Sequence, residues 1–389
     1  MSLANYFFLI SIFFDIGSLK LAADCPRKCE QSKGSISKTG IKNRAMQGHS
    51  FKNYTLSKPY DCHVKCFEER CKCQAYQMRQ NRCELLDDDR ISAPGDFLEE
   101  KEYMYYDMNR EYVDHQTCAK KAEKQKPLIN QCCNQNPCAN GGTCTERCED
   151  AKNKFNCTCT VEYYGRFCQK RRATSCKEQL QKNGGNRSGV YELLDPTTIS
   201  LYEVFCDAIS EKGFVWTLIE SFSRRSKNEF TDKPFYKNYA INQDAFTWSK
   251  FRLSLPRMVA TANRSTHVRA TCNFNSKELQ YRDYFRAKLS DIDVMRLSFN
   301  GCKKVEFISI RGYNCTGCTA FFFQQDRFHA HSDSYYAKSV GCQFTSPSAD
   351  AVKLPGGEDN FGCYQTVNPV HRCVSNDDST TQWWFGERY

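Results

Sequence analysis

The sequence lacks an apolar run long enough to span a bilayer, and its most apolar segment is short. It extends from Tyr6 to Phe14 (YFFLISIFF), whereas a helix that spans a bilayer needs about 20 apolar residues. The run is typical of the core of a signal peptide, with cleavage expected near Ala23. No Lys or Arg precedes it, so an uncleaved signal anchor stays an alternative. We predict a signal peptide over residues 1–23, a secreted, extracellular product and no membrane span.

Catalytic motifs are absent from the sequence. It contains no GxSxG, HExxH, P-loop or kinase signature, and only 7 histidines. His329 and His331 flank a single residue after an aromatic strand, so they could share a metal on one strand face, but no third ligand is evident and a surface pair is the preferred interpretation. Asp291 and Asp293 are typical of a solvated loop or strand face. We therefore predict that the protein is not an enzyme, and we assign it no cofactor.

Charge of one sign is in only slight excess. The 55 basic and 45 acidic residues leave a net charge of +10, which is modest for this length and spread out. This balance does not indicate a nucleic-acid partner, but it favours acidic glycans or other polyanions. It also argues against an Asp-rich protein that templates mineral.

Cysteine, in contrast, is abundant. The 25 cysteines in 389 residues are too many for the reducing cytosol and indicate a secreted, disulfide-stapled protein. Basic stretches at Lys120–Lys126 and Gln169–Arg172 separate them into three groups. The first group is Cys25, Cys29, Cys62, Cys66, Cys71, Cys73, Cys83 and Cys118; the second is Cys132, Cys133, Cys138, Cys144, Cys148, Cys157, Cys159 and Cys168; the third is Cys176, Cys206, Cys272, Cys302, Cys315, Cys318, Cys342, Cys363 and Cys373. We expect each group to close its own bridges and the third to keep one cysteine for an intermolecular disulfide.

The first group begins with two cysteines one helical turn apart. Cys62 and Cys66 are predicted to lie on one face of a helix, and a strand-like segment, Cys73–Met78, follows. Then come Cys83-Glu84-Leu85-Leu86 and a Tyr-rich strand, Tyr103–Tyr106. This order resembles the PAN/apple module, a small α+β domain. The resemblance implies binding of proteins or carbohydrates rather than catalysis, and an unrelated small disulfide domain is the alternative.

The second group has the spacing C-x4-C-x5-C followed by C-x-C-x8-C, with Asn140-Gly141-Gly142 at a turn. This pattern resembles an EGF-like domain. About 36 residues cannot bury a useful core, so disulfides are expected to supply the stability. The resemblance implies the pairs Cys133–Cys144, Cys138–Cys157 and Cys159–Cys168, and the two additional cysteines, Cys132 and Cys148, are expected to pair with each other. The carboxylates of calcium-binding members are missing at Leu128 and Gln131, so this domain is expected to fold without calcium.

The third group opens with short alternating strands at Ser188–Leu193, Tyr202–Asp207 and Phe214–Ile219. This opening resembles a fibrinogen-like C-terminal domain, and the resemblance implies a Cys176–Cys206 bridge. Beyond Ser223 the family pattern fades, so its ligand residues are not carried over. Intelectin-type lectins share the same opening and then diverge, which keeps a lectin as an alternative.

Weaker site candidates lie in the third region and at glycosylation motifs. Glu358, Asp359 and Asn360 in a Gly-rich segment are the best calcium ligands available, although a plain surface turn is favoured. Cys315 and Cys318 have the spacing of a zinc knuckle, but an oxidised compartment favours a disulfide. The motif Asn-x-Ser/Thr predicts glycans at Asn53, Asn156, Asn186, Asn263 and Asn314.

We therefore predict a multidomain, disulfide-rich protein. The expected domains are a signal peptide (1–23), a small α+β PAN/apple-like domain (24–119), a small β EGF-like domain (128–169) and a larger, divergent fibrinogen-like domain of mixed α+β or β-rich structure (173–389). Lys170–Arg172 is expected to be an exposed linker that proteases cut. In style the chain resembles cnidarian extracellular proteins, including those of coral skeletal organic matrix, which implies adhesion or recognition through matrix proteins or glycans. A soluble fibrinogen-like or intelectin-like lectin of innate immunity is the alternative.

Overall fold

The computed structural model describes residues 29–32, 40–113, 131–182, 187–275, 279–346, 359–362 and 366–389. The chain divides into two compact units, Met1–Arg171 and Arg172–Tyr389. The predicted signal peptide lies outside the described residues, as do Cys25, Cys118, Asn186, Glu358 and Cys363.

The described residues form a disulfide-rich, mostly antiparallel β structure with few helices. Ten disulfides have both partners in this part of the chain. Among the same residues, no helix is both long enough and apolar enough to cross a bilayer.

The first unit contains a five-stranded sheet that is covered by one helix. Its elements are β1 (Cys29–Ser32), β2 (Ile41–Met46), β3 (Ser50–Thr55), α1 (Pro59–Glu68), β4 (Ala75–Arg79), β5 (Arg82–Leu86), β6 (Phe97–Asp107), β7 (Arg110–Val113), β8 (Thr143–Glu146), β9 (Phe155–Thr158), β10 (Tyr163–Tyr164) and β11 (Lys170–Arg171). The sheet order is β2-β6-β4-β5-β3. Pro59 suits the first turn of α1 because its missing N–H has no helical partner there. Cys62 and Cys66 lie on the buried face of α1, as predicted. Cys62 forms a disulfide with Cys83, and Cys66 forms one with Cys73.

A second disulfide-stapled module, residues 131–169, packs against the first module within this unit. Cys71 is bridged to Cys132, with 5.5 Å between the Cα atoms, and Lys152 is ion-paired with the buried Asp89. A disulfide of this kind contributes roughly 2–4 kcal/mol by restricting the unfolded chain. The two modules are therefore joined covalently as well as by the polypeptide between them.

The expectation that each cysteine group closes its own bridges is therefore wrong. Cys132 pairs with Cys71 of the first group, so it is not the partner of Cys148, which is itself disulfide-bonded. The expectation relied on each of the first two groups having an even number of cysteines. An even number is equally compatible with two bridges between the groups and with none. Only folding brings the two sulfurs together across a sequence separation of 61 residues.

The basic segment between the units is also more ordered than predicted. Lys170–Arg171 form strand β11, which pairs with β10. Lys170 Nζ lies 3.5 Å from an Asp96 carboxylate oxygen, and a terminal nitrogen of Arg172 lies 2.6 Å from Glu192. The unit boundary falls between Arg171 and Arg172, and the side chains of Lys170 and Arg172 on either side of it are ion-paired.

The second unit is built on a nine-stranded antiparallel sheet. Its elements are α2 (Cys176–Lys182), β12 (Gly189–Asp195), β13 (Ser200–Asp207), β14 (Phe214–Ser223), β15 (Lys250–Arg252), α3 (Leu255–Ala262), β16 (His267–Cys272), β17 (Tyr284–Lys288), β18 (Phe299–Lys304), β19 (Phe307–Ile310), β20 (Tyr313–Thr316), β21 (Thr319–Gln325), β22 (Phe328–Asp333), α4 (Ser334–Ser339), β23 (Asp359–Asn360) and β24 (Thr380–Arg388). The long sheet has the order β12-β13-β14-β24-β16-β17-β19-β20, with β15 also paired to β14, and a four-stranded sheet has the order β18-β21-β22-β23.

The last strand of the chain lies in the middle of the long sheet. Strand β24 pairs with β14 on one side and β16 on the other, and nearly all residues of these strands are buried. Both faces of these strands are buried, and the buried residues include polar and charged side chains such as Glu220, Arg269 and Gln382. Trp383 and Trp384 lie in this core and are fully buried. The end of the chain thus completes the core of the second unit.

Candidate functional site

A cavity of about 530 Å³ opens on the second unit, between a loop and a hairpin turn. The loop, residues 231–239, follows a short 3₁₀ turn, Arg224–Glu229. The hairpin turn is the two residues between β21 and β22. The lining side chains are mostly polar or charged: Asp232, Lys233, Lys237, Asn238, Tyr239 and Arg327. We call this cavity the basic pocket.

A buried arginine holds the loop wall of the basic pocket in place. Arg252 at the end of β15 is completely buried. Its guanidinium donates hydrogen bonds to the carbonyl oxygens of Lys233 (2.7 Å), Pro234 (2.7 Å) and Lys237 (3.3 Å). It is also paired with the buried Glu220 at 2.8 Å. Because the guanidinium donors point in fixed directions, these bonds set the path of the loop.

The same carboxylate connects the loop to the hairpin. His329 on β22 places Nε2 2.5 Å from Glu220 Oε1, and its backbone N–H donates to the carbonyl oxygen of Thr231 at 2.9 Å. Gln324 on β21 accepts a hydrogen bond from the backbone N–H of Phe235 at 3.1 Å. The loop and the hairpin turn are therefore both held by the same buried polar side chains, which fixes their positions relative to each other.

The charged groups of the basic pocket are only partly compensated. Lys233 Nζ lies 2.7 Å from Asp232, and Lys237 Nζ lies 2.5 Å from Asp326. Each lysine holds the pKa of its partner carboxyl below the usual range through this hydrogen bond. Arg327 is exposed and has no ion-pair partner among the residues that the structure describes. Three cations thus face two carboxylates.

Tyr239 adds an aromatic surface to this set. Its ring is partly buried, and Lys233 Nζ lies 5.2 Å from the ring centre. An apolar ring face beside cationic donors can hold a ligand that combines an anionic group with a flat or ring-shaped body.

The two histidines singled out in the sequence are buried rather than at the surface, so that interpretation is wrong. Both ring nitrogens of His329 face oxygen acceptors, Glu220 and the carbonyl of Ala330. His331 Nδ1 lies 2.7 Å from the carbonyl oxygen of His329, and its Nε2 lies 3.3 Å from Asp359 Oδ1. Each nitrogen is occupied by a protein group, so this geometry does not present a metal site.

Two of the three weak calcium candidates are described, and they form a strand rather than a loop. Asp359 and Asn360 make up β23 and pair with Asp333 and Ser332 of β22. Burial and the nearby Asp333 raise the pKa of Asp359 to about 7, while burial lowers the pKa of His331 to about 4. His331 Nδ1 lies against a carbonyl oxygen, so Nδ1 carries the proton and Nε2 is free to accept one from a neutral Asp359, whose Oδ1 lies 3.3 Å away.

This arrangement predicts a pH-dependent stability. A carboxyl whose pKa is higher in the folded than in the unfolded protein contributes to the free energy of unfolding. The contribution is fully present below the unfolded-state pKa of about 4, and it is lost as pH rises through the folded-state pKa of about 7. Asp359→Asn keeps a donor towards His331 but does not ionise. We expect the variant to gain about 2–4 kcal/mol relative to wild type between pH 4 and 8. Urea unfolding across this pH range measures the difference.

The matched control is Asp378→Asn, since Asp378 is largely exposed. Its difference from wild type should stay nearly constant with pH. A flat difference curve for Asp359→Asn as well would contradict the assignment of a neutral carboxyl.

The structure also brings together the cysteine pairs that the resemblances imply. Cys133–Cys144, Cys138–Cys157, Cys159–Cys168 and Cys176–Cys206 are bridged, and so is the local pair Cys315–Cys318. Among the described residues, a metal-like cluster is formed by Cys272, His371 and Cys373, but its two sulfurs are joined in a disulfide. The described sequon asparagines, Asn53, Asn156, Asn263 and Asn314, are exposed.

The basic pocket was not identified from the sequence. A local signal exists in the segment DKPFYKNY, where Lys233, Phe235, Lys237 and Tyr239 alternate. Such alternation is equally typical of an ordinary half-buried strand. Arg327 carries no signal of its own, because its relation to this segment depends on the hairpin.

Comparison of the sequence with protein-family models and with curated proteins found no match in either set.

Proposed function

We propose that the protein is a secreted, non-catalytic adhesion or recognition component of an extracellular matrix, including the matrix of a mineral skeleton. In this proposal residues 24–119 are a PAN/apple-type module, residues 128–169 an EGF-type module and residues 173–389 a divergent fibrinogen-like domain. The extensive disulfides suit an oxidising compartment. The first two modules act as a joined spacer, and the second unit carries the binding surface.

The observation that carries this proposal is the basic pocket. It is a concave site with cationic and aromatic side chains and a buried polar support. Sites that recognise glycans or acidic matrix components use cationic and aromatic side chains of this kind.

A glycan and matrix-protein array, probed with the secreted full-length protein with and without chelator, tests the proposal. We expect binding that persists in chelator, because the pocket groups are side-chain cations. No binding to any glycan or matrix component would contradict the proposed function. Release from native material by chelation or by a simple sugar would instead favour the alternative, a soluble lectin of innate immunity.

An intermolecular disulfide is a further expectation of this function. The chain has 25 cysteines, an odd number, so at least one lacks a partner within the chain. Eight of the nine cysteines in the third group pair with one another; the ninth, Cys363, lies outside the described residues and is the cysteine that we propose for the intermolecular bond. We expect non-reducing electrophoresis of native material to show covalent oligomers that Cys363→Ser removes. A monomer without titratable thiol would contradict this.

A further inference from the structure

We propose that the basic pocket binds an acidic saccharide, meaning a sugar residue that carries a carboxylate or a sulfate group. The inference rests on the proposed function and names the ligand class for its binding surface. Lys233, Lys237 and Arg327 would contact the anionic group, and Tyr239 would pack against the sugar ring. The cavity volume of about 530 Å³ lies within the usual range for small-ligand sites, about 300–1,000 Å³.

The two lysines are available to an incoming anion. Their present partners are exposed carboxylates: Asp232 is 53 % exposed and Asp326 69 % exposed. Ion pairs between exposed groups contribute little, because solvent screens them and two long side chains must be ordered. A ligand carboxylate or sulfate can therefore replace these carboxylates at low cost.

Arg327 acts electrostatically on Asp326, a carboxylate that is already paired with Lys237. Among the described residues Arg327 has no ion-pair partner, and its planar guanidinium can bind a carboxylate or sulfate through two parallel hydrogen bonds. Its backbone has a φ of 65°, a conformation that favours glycine. The turn itself would therefore be formed at least as easily by glycine, so the arginine side chain is not required by the backbone conformation.

The buried ion pair beneath the basic pocket also supports a binding role. Pairing buried charges such as Arg252 and Glu220 often contributes no more to stability than apolar residues of the same volume. Here the guanidinium also orders the carbonyls of Lys233, Pro234 and Lys237. A loop fixed in this way loses little conformational freedom when a ligand binds.

Sugars suit the aromatic wall better than a peptide does. Tyr239 offers one ring face with Lys233 held beside it, which matches a rigid ring that carries a charge on its rim. An extended acidic peptide would use backbone pairing along a strand, and the lining residues come instead from a loop and a turn.

The test uses the full-length secreted protein and three variants. Arg327→Gly removes the side chain at a position where glycine is preferred, so the protein should keep its melting temperature. Lys233→Ala/Lys237→Ala removes both lysines, and Arg225→Ala is the control, since Arg225 is 69 % exposed and does not line the pocket. The probes are a hyaluronan octasaccharide for carboxylate, dextran sulfate for sulfate, uncharged dextran and poly-glutamate.

We expect hyaluronan or dextran sulfate to bind, and uncharged dextran and poly-glutamate to bind much more weakly. Each pocket variant should weaken the preferred probe about tenfold or more, while the control should change it less than twofold. Binding should also fall as salt is raised. The stronger of the two acidic probes identifies whether carboxylate or sulfate is the preferred group.

Equal binding by wild type and the folded Arg327→Gly variant would overturn the pocket assignment. If glycan-array binding persisted in that case, the proposed function would stand with another surface. Equal or tighter binding of poly-glutamate would overturn the saccharide class. No binding of any acidic saccharide, together with a blank array, would remove both proposals.

Discussion

Replacing Arg269 by Met is expected to lower the free energy of unfolding of the second unit by about 3–5 kcal/mol. Arg269 is completely buried and is paired with Asp207 (2.6 Å) and Glu211 (2.7 Å). Its guanidinium carbon lies 4.4 Å from the ring centre of Trp216 and 4.7 Å from that of Trp384. The variant leaves Asp207 and Glu211 buried without this partner, and desolvation of an unpaired charge is costly.

Urea unfolding followed by tryptophan fluorescence measures this effect. All 4 tryptophans of the chain lie in the second unit, so the signal reports that unit within the full-length protein. Arg225→Met is the matched control, because Arg225 is exposed; its effect should stay within about 0.5 kcal/mol. A loss of less than about 1 kcal/mol for Arg269→Met would show that the carboxylates are compensated by other groups.

Glu220→Gln is expected to have a similarly large effect, about 3–5 kcal/mol, and to act on the basic pocket as well. The carboxylate is buried between Arg252 at 2.8 Å and His329 at 2.5 Å. Glutamine keeps the shape but removes the charge that balances Arg252. The guanidinium also orders the pocket loop, so we expect folded protein to bind the acidic probe more weakly.

Tryptophan-detected urea unfolding gives the stability, and hyaluronan or dextran sulfate titration at low temperature gives the affinity. Glu229→Gln provides the comparison, because Glu229 is exposed and pairs with Lys250 at the surface. Its stability and affinity should be close to those of wild type. A Glu220→Gln protein with lowered stability but unchanged affinity would contradict the link between the buried pair and the loop.

Much of the local structure could be predicted from the sequence. The helix with Cys62 and Cys66 on one face is confirmed as α1, and the alternating segments near Val190 and Val204 are confirmed as β12 and β13. These elements depend on periodicity and on contacts between neighbours in the chain. The pairing of β12 with β13, in which Asp195 lies opposite Ser200, also depends on residues that are close in the sequence.

The basic pocket could not be predicted in this way. Its two walls are joined by a hydrogen bond between Phe235 and Gln324, residues 89 positions apart. The support beneath them comes from Arg252 on a third segment. Spacing in the sequence carries no information about contacts at such separations, because they depend on how hairpins are arranged within the sheets.

The disulfide-rich character, the short strands and the scarcity of apolar runs could all be predicted from the amino-acid sequence. These properties follow from composition and from periods of two to four residues. Tertiary structure alone decided that Cys71 pairs with Cys132, that β24 enters the centre of its sheet and that three cations meet at one cavity. Each of these is a contact between distant segments, and its formation depends on the burial of the whole core rather than on any local preference.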